Sequence, residues 1–182
     1  QLVLTSADGG FFYPFDPAES SELPFTRLPL MVISIGCDHA GFEFKEKVKE
    51  WLIRGGYSVS DEGTFDSESC DYPDFAFRVA QAVSSGRSTR GILICGTGIG
   101  MAIAANKLPG ISAALCYSIE TALLSRQHND ANVLTVGART MKIELVLDIM
   151  EAWLQTDFKE GRHARRVKKT FQLGKKEKTT DD

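Results

Sequence analysis

Cys95 opens the segment CGTGIG, in which a cysteine is followed by three alternating glycines. Gly96, Gly98 and Gly100 allow successive backbone amides to point at one ligand oxygen, which predicts a cradle for an anion or an oxyanion. Such amides favour the thiolate of Cys95, so this side chain is a candidate base, with the Thr97 hydroxyl beside it. A lone cysteine in an apolar run is more often a small buried side chain, and the glycines are the reason to prefer the base.

These glycines do not match the common nucleotide-binding loops. Met101 stands where the dinucleotide pattern GxGxxG requires its third glycine, and the segment lacks the GK[ST] ending of a P-loop. An acidic residue after the second strand would hold a ribose hydroxyl, and Asp61 is near enough to that place to keep nucleotide binding as a weak alternative.

Two further segments bring acid–base side chains together. The segment GCDHAG places Asp38 and His39 in a loop that opens a helix. Asp38 is equally well explained as a helix cap, but its adjacency to an imidazole at a strand end favours a functional loop. The segment SRQHNDAN contains His128, an acid–base candidate, and Asn129, an amide that could orient a hydroxylated ligand.

Arginines near the end of the chain supply positive charge without an equally dense acidic neighbour. Arg139 follows the last predicted strand, and Arg162 and Arg166 lie one helical turn apart in the segment RHARR. A forked guanidinium suits a phosphate dianion, although a solvated basic helix face is the more common meaning of such a run.

These groups together match proton transfer next to a carbonyl. A thiolate base, an imidazole, an amide cradle and phosphate-binding arginines are present, with no cluster of metal ligands and no need for a cofactor. The implied reaction is the interconversion of an aldose phosphate and a ketose phosphate through an enediolate. Because such sugars are mostly cyclic, an acid–base pair must first open the ring, and His128 and Asp38 are the candidates.

The surrounding sequence predicts the elements that position these groups. Short apolar runs alternate with amphipathic stretches from Met31 onward. The predicted strands cover residues 32–36, 57–60, 91–95, 112–116 and 133–136, and the predicted helices cover residues 42–54, 73–85, 100–107, 119–127, 141–154 and 162–173. This pattern predicts a Rossmann-like, three-layer α/β sandwich with a five-stranded parallel sheet, doubly wound, plus a C-terminal helix. Its ligand crevice should lie beyond the carboxyl ends of the strands.

Length and composition limit the organisation of the chain. The 182 residues suffice for one well-buried core and are few for two domains. We expect an extended N-terminal arm over residues 1–30, one domain over residues 31–173 and a charged tail over residues 174–182.

The charge and the cysteines indicate the surroundings of the protein. A formal net charge of −3 gives no reason to expect nucleic acid as a partner. The longest uncharged stretch is shorter than the roughly 20 apolar residues of a membrane-spanning helix, so no membrane association is expected. The four cysteines form no Cys-x-x-Cys pair, which favours a reducing cytoplasm over a disulfide framework or a zinc site.

Several separated motifs, in order, resemble the ribose 5-phosphate isomerase B family, part of a superfamily that includes galactose 6-phosphate isomerase. The matching segments are GCDHAG, DYP, GILICGTGIG, AANK, SRQHNDAN and GRH with Arg166, and the resemblance covers about residues 31–173. It implies isomerisation of D-ribose 5-phosphate and D-ribulose 5-phosphate, a step of the pentose phosphate pathway.

The resemblance also implies a role for each catalytic side chain. Cys95 matches the base, Thr97 and the cradle amides match the groups that hold the enediolate, and His128 matches the residue that opens the ring, with Asp38 nearby. One branch of the family carries a glutamate where Met101 stands here, so the chain resembles the branch that uses cysteine.

The binding residues and the assembly follow from the same resemblance. Family members bind the phosphate with residues that match His39, Arg139, Arg162 and Arg166, and a residue close to the sugar matches Tyr72, which is also explained as core packing. The resemblance implies a homodimer with shared sites, in which His128, Asn129 and Arg139 reach in from the partner. Whether dimers pair into tetramers is left open.

Two alternatives remain at this point. Isomerisation of a six-carbon sugar phosphate, such as allose 6-phosphate or galactose 6-phosphate, needs the same groups, although the galactose subunits generally lack the histidine that matches His128. A non-catalytic sugar-phosphate sensor would keep the arginines and the cradle without a base. The presence of both Cys95 and His128 argues against the sensor.

Overall fold

The computed structural model describes residues 31–173. The expected arm (residues 1–30) and the expected charged tail (residues 174–182) lie outside the described residues. The strands are β1 (Val32–Cys37), β2 (Ser58–Asp61), β3 (Arg90–Cys95), β4 (Ala113–Leu115) and β5 (Val133–Gly137). The helices are α1 (Phe42–Arg54), α2 (Tyr72–Ser84), α3 (Ile99–Ala105), α4 (Ile119–Asn129), α5 (Ile143–Gln155) and α6 (Arg162–Leu173), and a short 3₁₀ turn, His39–Gly41, precedes α1.

The five strands form one parallel sheet in the order β2-β1-β3-β5-β4. The three central strands, VISIGC, RGILIC and VLTVG, are almost continuously apolar because helices cover both of their faces. The outer strands, β2 and β4, are only half-buried. The predicted fold class is therefore confirmed, and each predicted strand and helix lies within about two residues of its position in the structure.

Two cores fill the space between the sheet and its helices. On one face, Trp153 of α5 and Leu52 of α1 pack with Ile35, Ile94 and other apolar side chains of the central strands. On the other face, helices α2 and α3 cover the side of the sheet that carries Cys95. Within residues 31–173, no helix combines the length and the apolar character needed to cross a bilayer.

The crevice expected at the carboxyl ends of the strands lies between β1 and β3. The chain runs from β1 outward to β2 and then returns to β3 on the other side of β1, so the following loops diverge at this point. Cys37 at the end of β1 pairs with Ile94, one residue before the end of β3. The loops that begin with Asp38 and Gly96 therefore start side by side.

A buried ion pair supports the floor of this crevice. The side chain of Lys45 in α1 is fully buried, and its ammonium lies 2.6 Å from Asp61 Oδ2 at the end of β2. Lys49 lies 2.9 Å from the same oxygen. The other carboxylate oxygen of Asp61 accepts the N–H of Gly63, whose carbonyl accepts the N–H of Cys37. The pair thus ties β2 to the loop that begins the site.

Lys45→Met is expected to lower the free energy of unfolding by about 3 kcal/mol at pH 7, at the low end for breaking a buried ion pair because Lys49 still faces Asp61. Burial raises the pKa of Asp61, but hydrogen bonds from Lys45 and Lys49 outweigh it and hold the pKa below its usual range. The contribution of this carboxylate is therefore present above about pH 4 and is lost as the pH falls through the lower folded-state pKa.

Denaturant unfolding between pH 7 and pH 2.5 measures both effects. The variant should lose stability less steeply than wild type in acid. Lys49→Met, which removes a more exposed ammonium, serves as the control and should cost less than about 1 kcal/mol. Equal losses for the two variants would contradict the role of Lys45.

Candidate active site

Cys95 is the last residue of β3, and its side chain is 5 % exposed. The N–H of Gly98 donates to Cys95 Sγ at 3.1 Å, an interaction that favours negative charge on sulfur. Gly98 has a φ of +80°, and a Cβ at this position would come within 2.7 Å of Leu115 and 2.9 Å of the Val136 backbone. Only glycine allows the loop to turn its amide toward the thiol here. The Gly98 amide is therefore directed at Cys95, and the cradle formed by all three glycines stays a prediction.

The Thr97 hydroxyl lies in the same loop. Its oxygen accepts the N–H of Ile99 at 3.3 Å, so the hydroxyl hydrogen is available to a ligand oxygen. Gly100 lies against the ring of Tyr72. A Cβ on this glycine would come within 2.8 Å of the ring. Gly100 therefore provides space for Tyr72, and the turn of the loop depends on Gly98.

Asp38 and His39 lie beside this loop, at the end of β1. Asp38 is buried, and its Oδ1 accepts the N–H groups of Ala40 and Gly41, so the capping explanation holds for one of its oxygens. The N–H of Cys70 donates to Nδ1 of His39 at 3.3 Å. A neutral His39 ring consequently carries its hydrogen on Nε2, where it can donate to a phosphate oxygen.

Arg139 joins this group from the end of β5. Its N–H donates to the carbonyl of Gly96 at 3.0 Å, and its side chain passes over Gly96, where a Cβ would lie 3.4 Å from its Cδ. The guanidinium thus adds positive charge to the loop that carries Cys95.

The candidate residues at the carboxyl ends of the strands form one group, which we call the cysteine edge. It comprises Asp38, His39, Tyr72, Cys95, Gly96, Thr97, Gly98, Gly100 and Arg139.

A second group of candidate residues surrounds a cavity of about 290 Å³ elsewhere in the molecule. The side chains of His128, Asn129, His163 and Arg166 line it, together with Ser112, Val167 and Thr170. The rings of His128 and His163 are stacked, with centroids 4.2 Å apart and planes 3° from parallel. We call this group, with Arg162, the histidine edge.

The two edges lie at opposite ends of the sheet. Cys95 pairs with Gly137 at the end of β5, whereas His128 and Asn129 precede the start of β5, where the carbonyl of Asn132 accepts the N–H of Gly91. The start and the end of β5 are four residues apart, which is about 13 Å along the strand. The loops at the two ends add to this distance. One chain therefore cannot bring its own His128 to its own Cys95.

This separation corrects one expectation about the assembly. The resemblance grouped Arg139 with His128 and Asn129 as residues supplied together by a partner. The structure places Arg139 at the cysteine edge, one full strand away from the other two. The physical reason is that α4 ends at the start of β5 and Arg139 follows its end, so the strand holds them apart.

Of the three remaining cysteines, Cys70 is partly exposed and the other two are buried. Burial raises the pKa of Cys37 to about 12 and raises the pKa of Cys116 above its usual value. Both thiols stay protonated at neutral pH, as expected of structural side chains. Within residues 31–173, no three His, Cys, Asp or Glu side chains are arranged to hold a metal ion.

Three contributions to the two edges were missed by reasoning from sequence. The backbone N–H of Cys70 fixes His39, the buried Lys45 supports the loop, and His163 stacks on His128. The hydrogen bond from Cys70 to His39 joins residues that are 31 positions apart in the chain, so it has no sequence signal. His163 had a sequence signal, because it is the histidine within the basic run RHARR, but such a run more commonly forms a solvated cationic face.

The chain matches the family model described as Ribose/Galactose Isomerase over residues 33–170. The chain belongs to this family. It is 50 % identical over 135 residues to ribose-5-phosphate isomerase B of Escherichia coli, covering 74 % of this chain and 91 % of that protein.

Solved structures of family members agree with this relationship. Ribose-5-phosphate isomerase B of Clostridium thermocellum superposes with a TM-score of 0.80 at 51 % identity, covering 80 % of this chain and 99 % of that one. The Mycoplasma genitalium enzyme with bound ribulose-5-phosphate superposes with a TM-score of 0.76 at 41 % identity, covering 80 % of this chain and 97 % of that one. The match to the ribose/galactose isomerase family thus includes the residues of both edges of the sheet.

Proposed function

We propose that this protein is a ribose-5-phosphate isomerase that interconverts D-ribose 5-phosphate and D-ribulose 5-phosphate, a step of the pentose phosphate pathway in the cytoplasm. The observation that carries the proposal is the Gly98 amide directed at the sulfur of Cys95, in a family member whose relatives bear this activity by name. A six-carbon sugar phosphate is the second candidate, because the same groups would serve it and an extra hydroxymethyl group need not be strongly rejected.

The chemistry follows from the groups at the cysteine edge. The Cys95 thiolate removes the C2 proton of the open-chain aldose, and the electron pair moves to form an enediolate across C1 and C2. The backbone amides near Gly98 and the Thr97 hydroxyl stabilise the developing negative charge. A proton moves from O2 to O1 as the new carbonyl forms at C2, and Cys95 returns its proton to C1.

Ring opening must come first, because ribose 5-phosphate is mostly a furanose. One group has to protonate the ring oxygen O4 while another takes the proton from the C1 hydroxyl. We assign these tasks to His128 and Asp38. Because the two lie on opposite edges of the sheet, this assignment requires two chains.

A homodimer supplies the missing half of each site. A two-fold axis that brings the histidine edge of one chain to the cysteine edge of its partner does the reverse at the other end, so two equal sites form. Exposed apolar side chains support burial against a partner, since Ile99 and Ile103 lie one turn apart on α3 and Tyr117, which follows β4, is also exposed.

The direct test is conversion of ribose 5-phosphate by the full chain after treatment with a metal chelator. We expect turnover, with allose 6-phosphate and galactose 6-phosphate converted less efficiently. A higher kcat/KM for a six-carbon phosphate would favour the second candidate. Binding of sugar phosphates without any turnover would contradict the enzyme and support a sensor.

Arg166→Ala is expected to raise the KM for ribose 5-phosphate by about 10- to 100-fold and to change kcat by less than about threefold, because the phosphate is bound alike before and during proton transfer. Arg166 lines the histidine-edge cavity, where its guanidinium can meet a phosphate that His39 holds from the other chain. Steady-state kinetics, with inorganic phosphate as a competitive inhibitor, measures this. Arg165→Ala, on the exposed part of the same helix, is the control and should leave KM unchanged. A large loss of kcat in Arg166→Ala would argue against a purely phosphate-binding role.

A further inference from the structure

His163 is a buried histidine for which the proposed mechanism has no use. It is the second residue of α6, and its side chain is 8 % exposed in a helix whose neighbouring arginines are exposed. It contacts His128, which is the penultimate residue of α4, ring face to ring face.

The connection between α5 and α6 holds the two rings together. The N–H of Lys159 donates to the carbonyl of Gln127 at 3.0 Å, and Nε of Arg126 donates to the carbonyl of Thr156 at 3.2 Å. Both bonds dock the connection on the last turn of α4. As a result, the first turn of α6 delivers His163 to the face of the His128 ring.

His128 has little else to orient it. In the described part of the chain, neither of its ring nitrogens has a hydrogen-bond partner, whereas many acid–base histidines are oriented by an acceptor at the second nitrogen. A stacked ring restrains the tilt of His128 and leaves both of its nitrogens free along the cavity edge. Stacking therefore provides the orientation that a hydrogen bond provides elsewhere.

The surroundings of His163 favour its neutral form. Burial, followed by the positive charges of His128, Arg162, Arg166 and Lys159, lowers the pKa of His163. The Nε–H of Arg162 also points at His163 Nε2 at 3.5 Å, which places the lone pair on Nε2 and the hydrogen on Nδ1. A neutral imidazole can stack on His128 whether His128 carries one proton or two.

We propose that His163 is a positioning residue that holds the His128 ring in the orientation needed for sugar-ring opening. This inference rests on the proposed function. It predicts a defect confined to the step that involves a ring, because the stack acts on His128, whose proposed task is ring opening, and not on Cys95 or the amides around it.

The two substrates of the reaction separate that step from proton transfer. Ribose 5-phosphate closes a five-membered ring through O4 and must be opened. Ribulose 5-phosphate would need O5 to close such a ring, but O5 carries the phosphate, so this ketose is open. Exchange of its C1 hydrogen with solvent deuterium requires Cys95 and the cradle, but no ring opening.

The experiment compares His163→Ala, His163→Phe and the control Arg165→Ala in the full chain. For His163→Ala we expect kcat with ribose 5-phosphate to fall about 10- to 50-fold, with KM within about threefold, since a small misplacement of an acid–base group has an effect of this size. Deuterium exchange into ribulose 5-phosphate should stay within about twofold of wild type. His163→Phe keeps a flat ring and should restore kcat to within about threefold, and Arg165→Ala should match wild type.

Three results would overturn the inference alone: full kcat in His163→Ala, a parallel loss of exchange and turnover in that variant, or a His163→Phe protein as impaired as His163→Ala. Unfolding midpoints and the elution volume on size exclusion confirm that each variant is folded and assembled, and His163→Phe remains informative if His163→Ala is unstable. Wild-type protein without ribose 5-phosphate turnover would instead overturn the proposed function, and this inference with it.

Discussion

Cys95→Ala is expected to lower kcat for ribose 5-phosphate by about 10⁴-fold, because the proposed mechanism assigns removal of the carbon-bound proton to this thiolate. The thiol receives the N–H of Gly98 and lies at the crevice between β1 and β3. Deuterium exchange into ribulose 5-phosphate should be lost together with turnover, since both require the same base. The affinity for inorganic phosphate should stay within about threefold of wild type, because the phosphate-binding residues are untouched.

Cys116→Ala is the matched control for this prediction. It removes another buried thiol, on the opposite face of the sheet core, whose pKa is raised by burial. Turnover should stay close to wild type. Activity of Cys95→Ala within about tenfold of wild type would show that the base is a different group and would remove Cys95 from the mechanism.

The second large effect is recovery of activity from two inactive proteins. Cys95→Ala damages the cysteine edge and His128→Ala damages the histidine edge, so a mixed dimer contains one intact site and one doubly damaged site. After dissociation and reassembly of an equal mixture, half of the dimers are mixed, and about one quarter of the wild-type activity should return. Turnover before and after exchange of subunits measures this. No recovery, in a mixture that mass spectrometry shows to contain mixed dimers, would contradict the shared site.

The position of Arg139 gives this experiment a sharper control. Because Arg139 lies at the cysteine edge, mixing Arg139→Ala with Cys95→Ala should restore nothing, whereas mixing it with His128→Ala should restore activity. The opposite pattern would support the grouping implied by family resemblance, with Arg139 and His128 reaching in together from a partner. The two assignments predict recovery of activity in different mixtures, so the outcome does not depend on small rate differences.

Local sequence determined the elements and much of the cysteine edge. The apolar runs of the central strands and the glycine-bounded turns are set by neighbouring residues, because strand and helix periods are local properties. Asp38, Cys95 and Thr97 were predictable as site residues for the same reason: they directly follow or end strands that must be parallel, and the carboxyl ends of parallel strands share one edge. The need for glycine at Gly98 was likewise visible as part of a repeat.

The order of the strands was decided by the tertiary structure. β5 lies between β3 and β4, so Arg139 comes over Gly96 and joins the cysteine edge. Sequence periodicity carries no information about which strands become neighbours, because pairing is a contact between distant segments. A prediction that used only the chain order could put Arg139 at the carboxyl edge of the sheet, but it could not place Arg139 over Gly96.

The histidine edge illustrates the same limit. The sequence determined that His128 ends a helix and that His163 begins another, and it supplied both as polar side chains with acid–base capacity. Only the folded chain decided that α6 packs on α4 and stacks His163 on His128. The reason is physical: residue types and local propensities fix which groups exist and in which element, whereas the contacts between distant elements are fixed by the packing of apolar faces contributed by the whole chain.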